Sequence, residues 1–263
     1  FGISNFLGNA TGILGALAVP LVLDRYPFPL GYVYAFAATG GLIFLSWGFL
    51  SLTREPPVYS AKPAVSQMDY LRTLPDVLRS DRNFRTYLLA QILFALGGMA
   101  NGFLAVYCAQ TWNRPDAQAG ALLIALQVGK APAYLIFGSL GDRKGHKRNI
   151  EVCFGLCILL VALAITAPNP MWFYTIFFLV GAVQAGAYLS GSAIVYEFTS
   201  AENRPTYIGL ANTIPGIATT IAPLIGGWLA RAAGYRAMFV VSLAFAVASW
   251  ALIHFGVREP RKM

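Results

Sequence analysis

Lys130 is the one basic residue inside a long apolar run of a sequence that is 57% hydrophobic and 11% charged. Gln127, Lys130 and Tyr134 stand at i, i+3 and i+7, so a helix gathers them into one polar stripe. The run spans about 119–140, which puts Lys130 about eleven residues from either end and near the bilayer centre at about 1.5 Å per residue. A charge at that depth is costly and by default marks a functional site. Three roles fit it: binding an anionic solute group, pairing with an acid from another helix, or a structural place in a wet interior cavity. Pro132 can kink the helix beside it. No acid pair, Ser/His pair or metal cluster lies at comparable depth, which argues against an enzyme.

The second polar concentration is Gly138–Arg148, GSLGDRKGHKR. It holds one acid, Asp142, and four bases, Arg143, Lys144, Lys147 and Arg148, with glycines at Gly138, Gly141 and Gly145. Long apolar segments flank it, so it reads as a tight turn at a membrane surface, and its basic excess marks that surface as cytoplasmic. The glycines permit a sharp turn and close helix approach. Asp142 suits the N-terminus of a neighbouring helix, where the dipole favours an anion. Its basic neighbours suit acids at other helix ends. Glu197, at the end of the sixth apolar segment, and Arg204, just beyond it, are the candidate partners. The plainer alternative is a turn that only fixes topology.

These residues need elements to hold them, and the hydropathy supplies them. Mean hydropathy is +0.60, and the charged fraction is less than half of the about 25% of a soluble domain. A spanning helix takes about 20 apolar residues. Eight segments qualify: about 3–23, 30–52, 86–109, 119–140, 150–167, 171–196, 206–229 and 236–257. The fold class expected is therefore an all-α, polytopic membrane bundle, and the alternation of a β-barrel is absent. Of nineteen Lys and Arg, fourteen fall on the face that bears the turn and four on the opposite face, with Lys130 between. This places both ends of the chain in the cytoplasm. It also assigns the net charge of +8 to membrane orientation rather than to nucleic-acid binding. Cys108, Cys153 and Cys157 read as small apolar helix residues, and no metal or other cofactor is expected.

Residues 53–85 differ in kind. Pro56, Pro57 and Pro63 give way to Met68, Leu71, Leu74 and Leu78 at spacings of three and four, which predicts a surface-lying amphipathic helix in a cytoplasmic linker. The domains expected are two helices in 1–52, the linker in 53–85 and six helices in 86–263. An internal repeat explains that uneven count. At an offset of 203, Asn9 matches Asn212, Pro20 matches Pro223, Gly31-Tyr32 matches Gly234-Tyr235 and Ser46-Trp47 matches Ser249-Trp250. One residue of slippage pairs Arg54-Glu55-Pro56 with Arg258-Glu259-Pro260. The first hairpin thus recurs as the last one, six helices later and in the same orientation, a parallel repeat. Two equal halves would need four further helices before Phe1, making twelve.

Two parallel six-helix halves joined by a cytoplasmic linker resemble the major facilitator superfamily of transporters. That family has a turn signature, G-x-x-x-D-R-x-G-x-[RK], between the second and third helices of each half. Gly138, Asp142, Arg143, Gly145 and Lys147 match it, Arg148 follows, and His146 stands where Arg is usual. The resemblance implies that this turn is a cytoplasmic latch that breaks as the halves rock. It also implies a central cavity lined by the first and fourth helices of each half. In the second half those helices offer Gln91, Asn101 and Tyr107, then Gln184, Tyr188, Ser192 and Tyr196, beside the stripe of Lys130, Gln127 and Tyr134. Ala218, Ala222, Pro223, Gly226 and Gly227 resemble the family's glycine-proline motif with Ala at both leading glycines, and Gly15–Asp24 keeps little of it beyond Pro20. Helix packing and a kink at Pro223 are the reading.

The implied activity is alternating-access transport of a small organic, amphipathic or anionic solute in a bacterial plasma membrane, by a monomer. Efflux against proton entry leads, and proton-linked uptake is the alternative. A non-transporting receptor or scaffold on the same fold is the contrasting class.

Overall fold

In the computed structural model, residues 2–26, 28–54, 67–112 and 117–260 are described. Of residues named above, Glu55, Pro56, Pro57 and Pro63 fall outside them, and so do the side chains of Pro20, Met68 and Leu71. Among the described residues the chain is helical and contains no strand. The helices are α1 (Gly2–Arg25), α2 (Leu30–Ser51), α3 (Gln67–Ser80), α4 (Arg82–Gly97), α5 (Leu104–Trp112), α6 (Ala117–Lys144), α7 (His146–Thr166), α8 (Trp172–Phe198) and α9 (Arg204–Ala251). Among the described residues, six helical stretches have both the length and the hydropathy to cross a membrane, and the longest, Arg204–Gly256, is two helices merged across Gly234. They account for seven of the eight apolar segments; the eighth, 3–23, is covered by α1.

Three boundaries depart from expectation. The segment 86–109 is not one helix: after α4 the chain tightens into a 3-10 turn, Gly98–Gly102, before α5 resumes. Gly97 explains the break, because a Cβ there would lie 3.1 Å from the Ala246 backbone nitrogen of α9. The buried Ser242 hydroxyl donates to the Gly97 carbonyl from the same arm of α9. No loop separates the last two spans either; Gly234 alone makes the turn, at φ 83° and ψ 163°, a conformation open essentially to glycine. Nor does the polar run 138–148 form a loop. Helix α6 continues to Lys144, and Gly145 at φ 89° is the whole connection to α7.

The chain divides into two compact units, Ala10–Tyr70 and the remainder. In the first, Gly31 begins α2 against the Tyr26 carbonyl, where a Cβ has no room. The rest of α2 leaves Phe36, Phe44, Trp47 and Phe49 exposed, an apolar surface suited to lipid and untenable in water.

The second unit has a core in two layers. Near Gly145, Phe84, Tyr87, Phe154 and Ile194 are buried together; toward the other end, Met99, Phe173, Met238 and Phe239 are. Phe94 packs on both layers and stacks on Phe154 at 4.2 Å, nearly parallel. Helix α3 sets Leu74, Val77 and Leu78 against the first layer. Asp81 is the N-cap of α4, accepting from the Phe84 amide at 2.9 Å.

Helices α6 and α8 meet backbone to backbone. A Cβ at Gly129 would collide with the Phe178 carbonyl, and one at Gly181 with the Leu126 carbonyl. Small residues substitute for the missing hydrophobic drive between helices in lipid by allowing this approach.

Candidate functional site

The polar stripe lies on this close helix pair. Gln127, Lys130 and Tyr134 are half-buried along α6, and the Lys130 backbone nitrogen is 3.1 Å from where a Gly181 Cβ would stand. Facing α8 presents Gln184, exposed, and Tyr188, 59% exposed. The first turns of α1 belong to the same unit and touch the stripe at two points. Asn9 donates from Nδ2 to the Gln127 carbonyl at 3.0 Å. Gly2 lies on the Tyr134 carbonyl, 2.8 Å from a built Cβ, and on the Gly138 Cα, 3.3 Å away.

The structure does not bring every cavity candidate to this pair. Gln91 turns inward on α4 and donates to the Tyr87 hydroxyl at 2.7 Å, which in turn donates to the Gly191 carbonyl of α8 at 3.4 Å. Gln91 is half-buried, and this chain of bonds ties it to α8. Asn101 is exposed in the 3-10 turn. Gly226 packs on Phe103 and Met99, and a Cβ at Gly227 would lie 3.5 Å from the Phe103 ring; Pro223, one turn back, is exposed on the same arm of α9.

At the other polar concentration, Asp142 and Arg143 are exposed on the last turn of α6, and Gly138 lies one turn deeper. Gly145 is buried and donates from its amide to the Gly141 carbonyl at 3.0 Å, and the Glu259 carboxylate fills the space that a Cβ there would need. Lys147 forms an ion pair of 3.2 Å with Glu151 one turn on, while Arg148 is exposed. The same Glu151 oxygen is 3.4 Å from His254 Nδ1, and the His254 ring stacks on Trp250 at 4.9 Å, nearly parallel. Thus Glu151 ties the start of α7 to the turn that ends the last span. Glu197 is half-buried near the end of α8, and the Arg204 guanidinium sits 5.4 Å over the Tyr196 ring, a cation–π arrangement.

Glu151, His254 and Asn149 are not among the residues that the sequence singles out. Asn149 is fully buried at the start of α7 and donates from Nδ2 to the Phe137 carbonyl at 2.6 Å and to the Ser190 hydroxyl at 2.9 Å. It ties three helices just behind the turn. The signal available was a lone amide at the head of an apolar helix.

Among the described residues no group of three or more His, Cys, Asp or Glu could hold a metal ion. Cys153 instead packs on Gly186.

Comparison with known proteins gives the arrangement a context. Residues 86–263 match the family model described as Major Facilitator Superfamily. An uncharacterized MFS-type transporter of Mycobacterium tuberculosis, Rv2456c, is 26% identical over 97% of this chain and 61% of its own length. The uncharacterized MFS-type transporter YfiU of Bacillus subtilis is 32% identical over 49% of this chain and 24% of its own. The rubrofusarin-specific efflux pump aurT of Gibberella zeae is 32% identical over 36% and 18%. The chain therefore spans less than two thirds of the length of these relatives. Among solved structures, the Escherichia coli fucose:proton symporter FucP superposes with a TM-score of 0.61 over 90% of this chain and 60% of its own, at 14% identity, a likeness of fold.

Proposed function

The chain belongs to the Major Facilitator Superfamily, a family of membrane transporters rather than enzymes, and on that premise we propose that it carries a small organic solute by alternating access, exporting it against proton entry. The observation that carries this reading is the half-buried Lys130 midway along a spanning helix, flanked by Gln127 and Tyr134 and faced by Gln184 and Tyr188 of α8. A lysine and amides among tyrosines suit an amphipathic solute with an anionic group, because the ammonium supplies the charge and the rings supply apolar contact. The relative named as an efflux pump supports the direction. Proton-linked uptake is the second reading, since the fucose:proton symporter shares the fold and one cavity serves either direction.

The turn at Gly145 is the proposed latch. Asp142 stands in the last turn of α6, where its own helix dipole disfavours an acid. An acid held there against that dipole suits a contact made in one conformational state and broken in another. Arg143, Lys147, Arg148, Glu197 and Arg204 are its proposed companions in the latch, on the side that the basic excess supports as cytoplasmic in a proposed bacterial plasma membrane. The proposed organisation is that of a linker, 53–85, and a six-helix half, 86–263, preceded by two helices of the other half, all in a monomer.

The test is flux in proteoliposomes of the whole protein under an imposed proton gradient, across a panel of organic anions. Lys130→Ala should raise the half-saturating concentration for the anionic solute, and Lys130→Arg should restore much of it. Kinetics unchanged by Lys130→Ala across the panel would remove Lys130 from the solute site.

A further inference from the structure

The end of the bundle that carries Gly145 also holds a polar cavity that solute transport leaves unused. Its volume is about 530 Å³, and its walls include Ser80, Asp81, Arg82, Asn83, Phe255 and Arg258, from the α3–α4 junction and the chain that follows α9. The walls are fixed by hydrogen bonds. Asn83 clasps the backbone of Arg258: its Nδ2 donates to the Arg258 carbonyl at 3.1 Å, and the Arg258 amide donates to its Oδ1 at 2.7 Å. The one carboxylate among these walls, Asp81, has both oxygens engaged, accepting from the Phe84 amide at 2.9 Å and the Tyr207 hydroxyl at 3.1 Å. Both arginine side chains remain exposed, so two guanidiniums face one engaged acid.

Phe255 gives the cavity its second character. It is 80% exposed, although it belongs to the short π-helical turn, Leu252–Gly256, that closes the last span. A ring standing out from the end of a spanning helix lies at the boundary between hydrocarbon and headgroups. The cavity therefore combines a pair of planar cations, suited to phosphate oxygens, with an apolar lip at the depth where acyl chains begin. Basic pockets on the cytoplasmic side of membrane proteins bind phosphorylated headgroups for this reason.

We propose that the cavity between Arg82 and Arg258 is a binding site for a phosphate group, carried by an anionic phospholipid of the leaflet it faces. Arg82 and Arg258 hold the phosphate oxygens, and Phe255 lies against the first acyl carbons. The lipid then bridges the α3–α4 junction to the chain that follows the last helix. The site rests on the membrane placement of the bundle and not on transport, and lipid retention is read separately from flux.

The test uses the whole protein in nanodiscs of phosphatidylcholine with graded phosphatidylglycerol, with retained lipid counted by native mass spectrometry. The wild type should retain phosphatidylglycerol in preference to phosphatidylcholine, and Arg82→Ala/Arg258→Ala should weaken that retention about 30-fold. The clasp survives because it uses the Arg258 backbone; Arg82→Gln/Arg258→Gln serves if the alanine pair does not fold. Arg79→Ala/Lys144→Ala removes two charges from the same end outside the cavity and should bind as the wild type does. Added inorganic phosphate separates the sources: no displacement assigns the site to the lipid, and displacement with equal loss in the double variant assigns the same chemistry to a free anion. Equal retention of the two lipids, a double variant that binds like the wild type, or equal loss in the control pair would overturn the proposal.

Discussion

Replacing Gly145 by alanine isolates what the turn costs to build. The residue sits at φ 89°, ψ 154° between the last residue of α6 and the first of α7. A side chain in that region costs about 1–3 kcal/mol in backbone strain alone. The added Cβ would also lie 2.8 Å from Glu259 Oε1 and 3.1 Å from its Cδ. The carboxylate is the far end of a flexible side chain and can swing aside, so the clash adds at most the about 1–3 kcal/mol of ordinary overpacking. Gly145→Ala should therefore destabilise the bundle by about 2–4 kcal/mol, read as a fall in unfolding midpoint in mixed micelles. The two parts separate in a double-mutant cycle. Glu259→Ala removes the clash but not the backbone strain, so the pair should show a favourable coupling of about 0.5 kcal/mol or more while remaining less stable than Glu259→Ala alone. A Gly145→Ala protein as stable as the wild type would refute the assignment of this turn.

Further outcomes follow from other contacts. Gly181→Ala places a methyl against the Leu126 carbonyl, a backbone group that cannot swing away; it should cost about 1–3 kcal/mol or more, seen as a lower melting temperature and a separation of labels on α6 and α8. Asn149→Ala removes both donated bonds from a fully buried site and should cost about 1–3 kcal/mol, measured in the same way, with Ser190→Ala partly additive. Asp142→Asn should reduce flux in proteoliposomes while leaving membrane insertion intact; wild-type flux would remove the latch role.

Hydropathy made the helices legible because each span must satisfy its backbone internally over a fixed thickness. It could not show the break after Gly97, because glycines are tolerated in spanning helices and the contact with Ala246 that tightens this stretch comes from a distant segment. Gly234 was legible only as part of a short connection; that one residue suffices depends on a left-handed backbone, which composition does not encode. At the site, Lys130, Gln127 and Tyr134 could be read from spacing because they share one helix. The bond from Gln91 to Tyr87, one turn away on the same helix, and on to the Gly191 carbonyl of α8 could not be read from spacing, because its end lies on another helix. The tie from Lys147 through Glu151 to His254 joins residues about a hundred positions apart at the membrane edge, where polar side chains carry no hydropathic signal of their own.

The most direct test of alternating access is the sidedness of one residue. Gln184 is exposed on α8 beside the Lys130 stripe, and Cys108, Cys153 and Cys157 are all buried, so a Gln184→Cys thiol can be labelled selectively. In membranes of known orientation, a bilayer-impermeant thiol reagent should reach this cysteine when applied to either side, with transported solute shifting the ratio of the two rates. Modification from one side only, whatever solute is present, would contradict the account.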